Sequence, residues 1–101
     1  MIISFDYDDT LTKKKYQDLA VKYINEGNKV LILTARQDNH MDDVYSLARK
    51  LNIDRRNVHN TNGQDKYKYV NRLHIDIHYD NNKTQIDKIN NNTNTKGILI
   101  N

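Results

Sequence analysis

No cysteine occurs among the 101 residues, which excludes disulfides, thiolate zinc sites and cysteine nucleophiles and is compatible with a reducing compartment. The chain also lacks any apolar run near the length of a membrane span. Its N-terminus has no basic region followed by a long apolar stretch and a cleavage site. A soluble, cytoplasmic protein without a membrane partner is expected. Length is limiting too: there is room for one domain around a single modest core, and so for one site. An excess of either charge is missing, since 16 Lys and Arg against 13 Asp and Glu leave +3, a mild bias toward anionic partners. The many Asn, Lys, Ile and Tyr residues are what an AT-rich coding sequence yields, as in a virus or an AT-rich bacterium.

What is present begins with IISFDYDDTLT at residues 2–12, where three aspartates follow an apolar run directly. Carboxylates so close repel one another, and desolvating them is costly unless a cation or proton joins them. Apolar and amphipathic stretches alternate along the rest of the chain. Strands are expected at residues 1–7, 29–36 (KVLILTAR), 57–61, 74–80 and 96–100. Helices are expected at 16–26, with Gly27 as C-cap, from Met41 to near Asn52, from an Asp65 N-cap to about Leu73, and near 84–89. The order βαβαβαβαβ predicts an α/β fold, a single Rossmann-like three-layer domain with a five-stranded, mainly parallel sheet and helices on both faces.

In such a fold, ligands bind at the carboxyl ends of strands beside the point where strand order reverses. The polar residues expected there are Asp6, Asp8 and Asp9 after strand one, Thr34 after strand two, Lys66 opening a helix, and Asp80-Asn81 after strand four. Side-chain alternation lets Asp6 and Asp8 point the same way and share one cation. Hard oxygen donors without thiolates suit magnesium, which keeps several positions for water and phosphate. A lysine and a threonine facing that metal would hold the remaining oxygens of a phosphoryl group.

These residues resemble the motifs of the haloacid dehalogenase-like (HAD) phosphohydrolases. Asp6-Tyr7-Asp8-Asp9-Thr10-Leu11 is similar to the first motif, Asp-x-Asp-x-Thr after an apolar strand. VLILT ending at Thr34 resembles the second, Lys66 the third, with Lys68 as a stand-in, and IDIHYDN at residues 75–81 the fourth. The resemblance spans residues 2 to about 82. Two departures are Asn81 in place of the second acid of the last motif and Asp9 where glycine is frequent.

The resemblance implies that Asp6 attacks phosphorus to form an aspartyl-phosphate, and that Asp8 protonates the leaving oxygen and then takes a proton from water. Magnesium would be held by Asp6, Asp8 through its backbone carbonyl, and Asp80, with the Asn81 amide as a further oxygen. Thr34 and Lys66 would stabilise the equatorial oxygens, and Thr10 and Arg36 are candidates for binding substrate, Arg36 equally for pairing with an acid. Too few residues follow the first motif or the third strand to hold a cap domain. A capless member is implied, acting on an exposed phosphate such as a nucleotide or nucleic-acid end, or borrowing a lid by oligomerising.

The other polar features carry less. Lys13-Lys14-Lys15 could draw in a polyanion, but a solvated helix start explains the run more simply. His74, Asp76, His78 and Asp80 alternate along the fourth strand. Four successive positions span too far for one ion, and an Asp76–His78 hydrogen bond supporting the site is the preferred expectation. Lys83 competes with Lys66 for the lysine role. A response-regulator receiver is disfavoured because NVHNT, the third strand, offers no aspartate. The stronger rival is a non-catalytic HAD-like module that binds magnesium or phosphate for regulation, suggested by Asn81.

Overall fold

A computed structural model describes residues 1–101. Five strands, β1 (Ile2–Phe5), β2 (Lys29–Thr34), β3 (Val58–Asn60), β4 (Ile77–Asp80) and β5 (Lys96–Leu99), form one sheet. Its order is β3-β2-β1-β4-β5 and every pairing is parallel. The helices are α1 (Lys14–Asn25), α2 (Asp42–Lys50), α3 (Tyr67–Arg72) and α4 (Lys83–Asn92). The α/β, Rossmann-like expectation is met, with a sheet that is wholly parallel.

Alternation along the central strands explains the three layers. Ile3 and Phe5 of β1 and Val30 and Ile32 of β2 pack with Ala20 of α1 and with Val44 and Ala48 of α2. Leu31 and Leu33, the intervening residues of β2, face the other way and pack with Val70 of α3 and Ile89 of α4. β2 is buried on both faces from Val30 onward, which is why VLIL reads as a continuous apolar run. Gly27, at φ +89°, ends α1 in the left-handed backbone that glycine adopts without strain, its N–H bonded to Ile24 O at 3.0 Å.

Several boundaries differ from the sequence expectation. β1 stops at Phe5 because the chain turns sharply through Tyr7–Leu11, with Asp9 at φ +55°. α4 extends to Asn92, well past residue 89. β4 begins at Ile77 rather than His74, which has a left-handed backbone (φ +55°) and closes the end of α3 with its N–H on Asn71 O. His74 and Asp76 therefore do not belong to that strand. Asp65 does not cap α3 either: its carboxylate accepts from Gln85 Nε2 and Lys88 Nζ, both at 3.0 Å.

Between β1 and β4 the strand order reverses relative to the chain, so the carboxyl ends of these two neighbours flank the switch point. Little chain is available to cover it. Only Thr12 and Lys13 lie between the 7–11 turn and α1, and residues 61–66 alone join β3 to α3.

Candidate active site

On the α3/α4 side of the sheet, β1 and β4 carry polar residues where β2 carries leucines. Ser4 and His78 are register partners; Asp80 follows two residues later in β4, and Asp6 two residues later just past the end of β1, where the backbone is still extended. The Ser4 hydroxyl meets His78 Nδ1 at 2.6 Å, and His78 Nε2 meets Asp80 Oδ2 at 2.9 Å. Lys66, from the start of α3, extends its ammonium between the two aspartates and donates to Asp6 Oδ1 and Asp80 Oδ2, each at 2.7 Å. All five side chains are buried, and no buried side-chain nitrogen or oxygen in the molecule lacks a partner.

Here His78 differs from the expectation: its partners are Ser4 and Asp80, not Asp76. Asp76 lies before the strand, and its carboxylate accepts from the backbone N–H of Ile2 at 2.7 Å. Each imidazole nitrogen of His78 is thus committed within the column, and nothing assigns the ring to a metal.

One ammonium between two buried carboxylates leaves them unequally compensated. Burial pushes the Asp6 carboxyl up to about 6, because desolvation outweighs the attraction of Lys66 and the nearby Asp80 charge adds to the rise. Burial would raise Asp80 too, but its hydrogen bond from His78 and the Lys66 charge together hold it well below the usual carboxylate range. Burial also lowers the basicity of His78, more than the Asp80 carboxylate raises it, so the ring is neutral.

The column opens into a cleft of about 380 Å³ whose walls include Asp6, Asp8, Asp9, Lys66, Asp80 and Asn81. Asp6 Oδ2 has only a long contact, 3.5 Å, from the Thr10 hydroxyl behind it. Asp80 Oδ1 accepts from Asn82 N at 3.0 Å. Asp8 stands at the rim, where the Arg36 guanidinium grips both its oxygens, Nε at 3.1 Å and Nη2 at 2.8 Å. Arg36 also donates to Asp43 at 2.6 Å and to His40 O at 2.9 Å, and lies 4.9 Å from the centre of the Tyr7 ring. That pairing holds the Asp8 carboxyl below its ordinary value.

The chain therefore brings together Asp6, Lys66 and Asp80, with Asp8 and Asn81 on the same cleft. Thr10 supports Asp6 from behind. Thr34 is buried at the end of β2 with the parity of Val30 and Ile32, its hydroxyl only 3.4 Å from Arg36 N, and it does not line the cleft. Arg36 pairs with acids. Lys68 borders an adjacent hollow with Gly63, Gln64 and Asp65, and Lys83 pairs with Asp87. The lysine run lies elsewhere: Lys13 donates to Asn101 O at 2.9 Å, Lys14 pairs with Asp18, and Lys15 sits against the Tyr16 ring.

The donors facing the cleft are carboxylate and amide oxygens, the chemistry of a hard cation, and no three or more His, Asp or Glu side chains converge to cage an ion. A divalent cation here would draw on Asp6 and Asp80 and complete its shell from water and a bound anion. Reasoning from sequence missed Ser4, Asn82, Gln85 and Asp43. Period-two spacing from Asp6 and Asp80 points to Ser4 and His78, Asn82 meets Asp80 through a local turn two residues on, and Gln85 and Asp43 are brought in only by helix placement. Neither a family model, nor a curated protein, nor a solved structure matches the chain.

Proposed function

We propose that the protein is a magnesium-dependent phosphohydrolase of the capless HAD-like kind, acting on a phosphomonoester. The observation that carries this reading is Lys66 bridging Asp6 and Asp80 at the switch point of a parallel sheet, at the floor of an open cleft. A nucleophile needs an accessible oxygen, and Asp6 Oδ2 is the one carboxylate oxygen of the buried group without a short partner. Lys66 orients Asp6 through Oδ1 and places positive charge where negative charge develops on the transferring group. Asp6, Asp80, the Asp8 backbone carbonyl and the Asn81 amide would hold magnesium, which would supply the charge compensation that lets an anionic carboxylate approach a phosphate. Asp8 then serves as the proton carrier, and to reach the leaving oxygen it must release Arg36, which holds both its oxygens and is itself fixed by Asp43 and His40 O.

An open cleft suits a phosphate projecting from a larger molecule, such as a nucleotide or a nucleic-acid end. The Arg36 fork on Asp8, with Asn81 in place of a second acid, favours as second reading a regulatory module that binds magnesium or phosphate without turnover. Phosphate release from small esters and from 5′- and 3′-phosphorylated oligonucleotides, with and without magnesium, separates the two. Turnover that needs magnesium and disappears in Asp6→Asn is expected. Magnesium binding without turnover on any of these substrates would establish the module instead.

A further inference from the structure

A closed circuit of hydrogen bonds ties the catalytic lysine to a residue outside the motifs. Asp80 Oδ1 accepts from Asn82 N at 3.0 Å, Asn82 Oδ1 accepts from Gln85 N at 3.2 Å, and Gln85 Oε1 accepts from Lys66 N at 2.9 Å. Lys66 Nζ completes the loop on Asp80 Oδ2. The circuit joins the end of β4, the first turn of α4 and the start of α3. We propose that Gln85 is a positioning residue for Lys66: it sets where α3 begins, and so where the ammonium stands relative to Asp6 and Asp80. The role in catalysis rests on the phosphohydrolase reading, while the positioning itself does not.

Three features single out Gln85. The backbone N–H at the start of a helix has no intrahelical acceptor, and α3 has no side-chain cap of its own, so Gln85 supplies that acceptor from a different helix. The Asn82-x-x-Gln85 spacing is that of a capping box, in which the fourth residue turns back to the first. Here Asn82 N is taken by Asp80, which leaves the Gln85 side chain to reach across to α3. Its other end is anchored as well: Nε2 donates to Asp65 Oδ1 at 3.0 Å, and Asp65 Oδ2 accepts from Lys88 Nζ at 3.0 Å. Both ends of the amide are thus in use, and its rotation is blocked. α3 is only six residues long, and Val70 is its one fully buried side chain.

The test compares Gln85→Leu, which removes acceptor and donor at similar volume, with the double variant Asp65→Asn/Gln85→Glu, which restores both bonds with donor and acceptor exchanged between positions 65 and 85. Two readouts are followed: kcat and KM on the best ester, and the heteronuclear NMR signal of the Lys66 ammonium, which a buried ion pair protects from exchange. In Gln85→Leu, kcat should fall about 10- to 100-fold, the range usual for groups that orient a ligand, with KM little changed and the ammonium signal shifted or lost. The double variant should recover both. A Lys66 signal unchanged by Gln85→Leu overturns the proposal, as does failure of the exchanged pair to recover it. Should Gln85→Leu not fold, the exchanged pair alone decides. Should the native protein release no phosphate from any ester, the phosphohydrolase reading falls and the ammonium signal still decides whether Gln85 positions Lys66.

Discussion

The two faces of the sheet solve the same burial problem differently. Toward α1 and α2, fifteen buried apolar residues form one cluster, with Phe5 stacked on Tyr79 at 4.9 Å between ring centres. Toward α3 and α4, only five buried apolar residues cluster, and the middle of that layer is the Ser4–His78–Asp80–Lys66–Asp6 column. Apolar burial stabilises without requiring a particular partner geometry. A buried ionic column is weak support for stability, because desolvation consumes most of what the ion pairs return. One face holds the fold together and the other holds a set of buried charges in fixed contact.

The largest expected effect lies on the apolar face. Phe5→Ala removes a fully buried ring from the centre of the larger cluster and should cost about 3–5 kcal/mol in denaturant unfolding. A loss under about 1 kcal/mol would mean that this face is not the stabilising one.

His78→Leu tests the other face at nearly constant volume. It leaves the Ser4 hydroxyl and Asp80 Oδ2 each short of a partner and should cost about 1–3 kcal/mol near neutral pH. The pH profile carries the more specific signature. Burial keeps His78 neutral in the fold while the unfolded chain takes up a proton near 6.5, so the native protein loses stability as pH falls through that value. That part of the slope should be missing from the variant. An identical slope in both proteins would place the titration elsewhere.

The smallest effect has the opposite sign. In the metal-free protein, folded Asp6 keeps its proton up to about 6 whereas the unfolded chain releases it near 3.8, so its ionisation costs stability as pH rises between those values. Asp6→Asn should therefore match the native protein below the lower value and be more stable above the upper one. The gain is of order 1 kcal/mol, since the substitution also takes one of two carboxylates from Lys66. Thermal melts across that range check it. A destabilised variant at pH 8 would show that the Asp6–Lys66 pair is a net support of the fold.

The contrast between the faces also explains what could be read in advance. Period-two and helical patterns come from apolar burial, so the five strands, four helices and three layers were legible, most clearly in KVLILT. Asp6, Lys66 and Asp80 could be gathered because strand ends at a switch point converge in any fold of this class. Local rules failed where a more distant partner competed. Asp65 has a residue type suited to capping but bonds to α4, Asp76 is drawn to the Ile2 N–H, and the strand expected from His74 starts three residues later.

The sequence by itself determined the class of fold, the alternation of its elements and the set of charged residues that the strand ends bring near one another, because these follow from periodicity and chain order. Tertiary structure alone decided which of those charges touch. Lys66 reaches Asp6 and Asp80 while Lys68 and Lys83 do not, Arg36 closes on Asp8, and Gln85 crosses from one helix to the next. The reason is physical. Hydrogen bonds and ion pairs depend on distances held to within a few tenths of an ångström between residues up to 88 positions apart in the chain, and such distances are set only when the helices dock on the sheet.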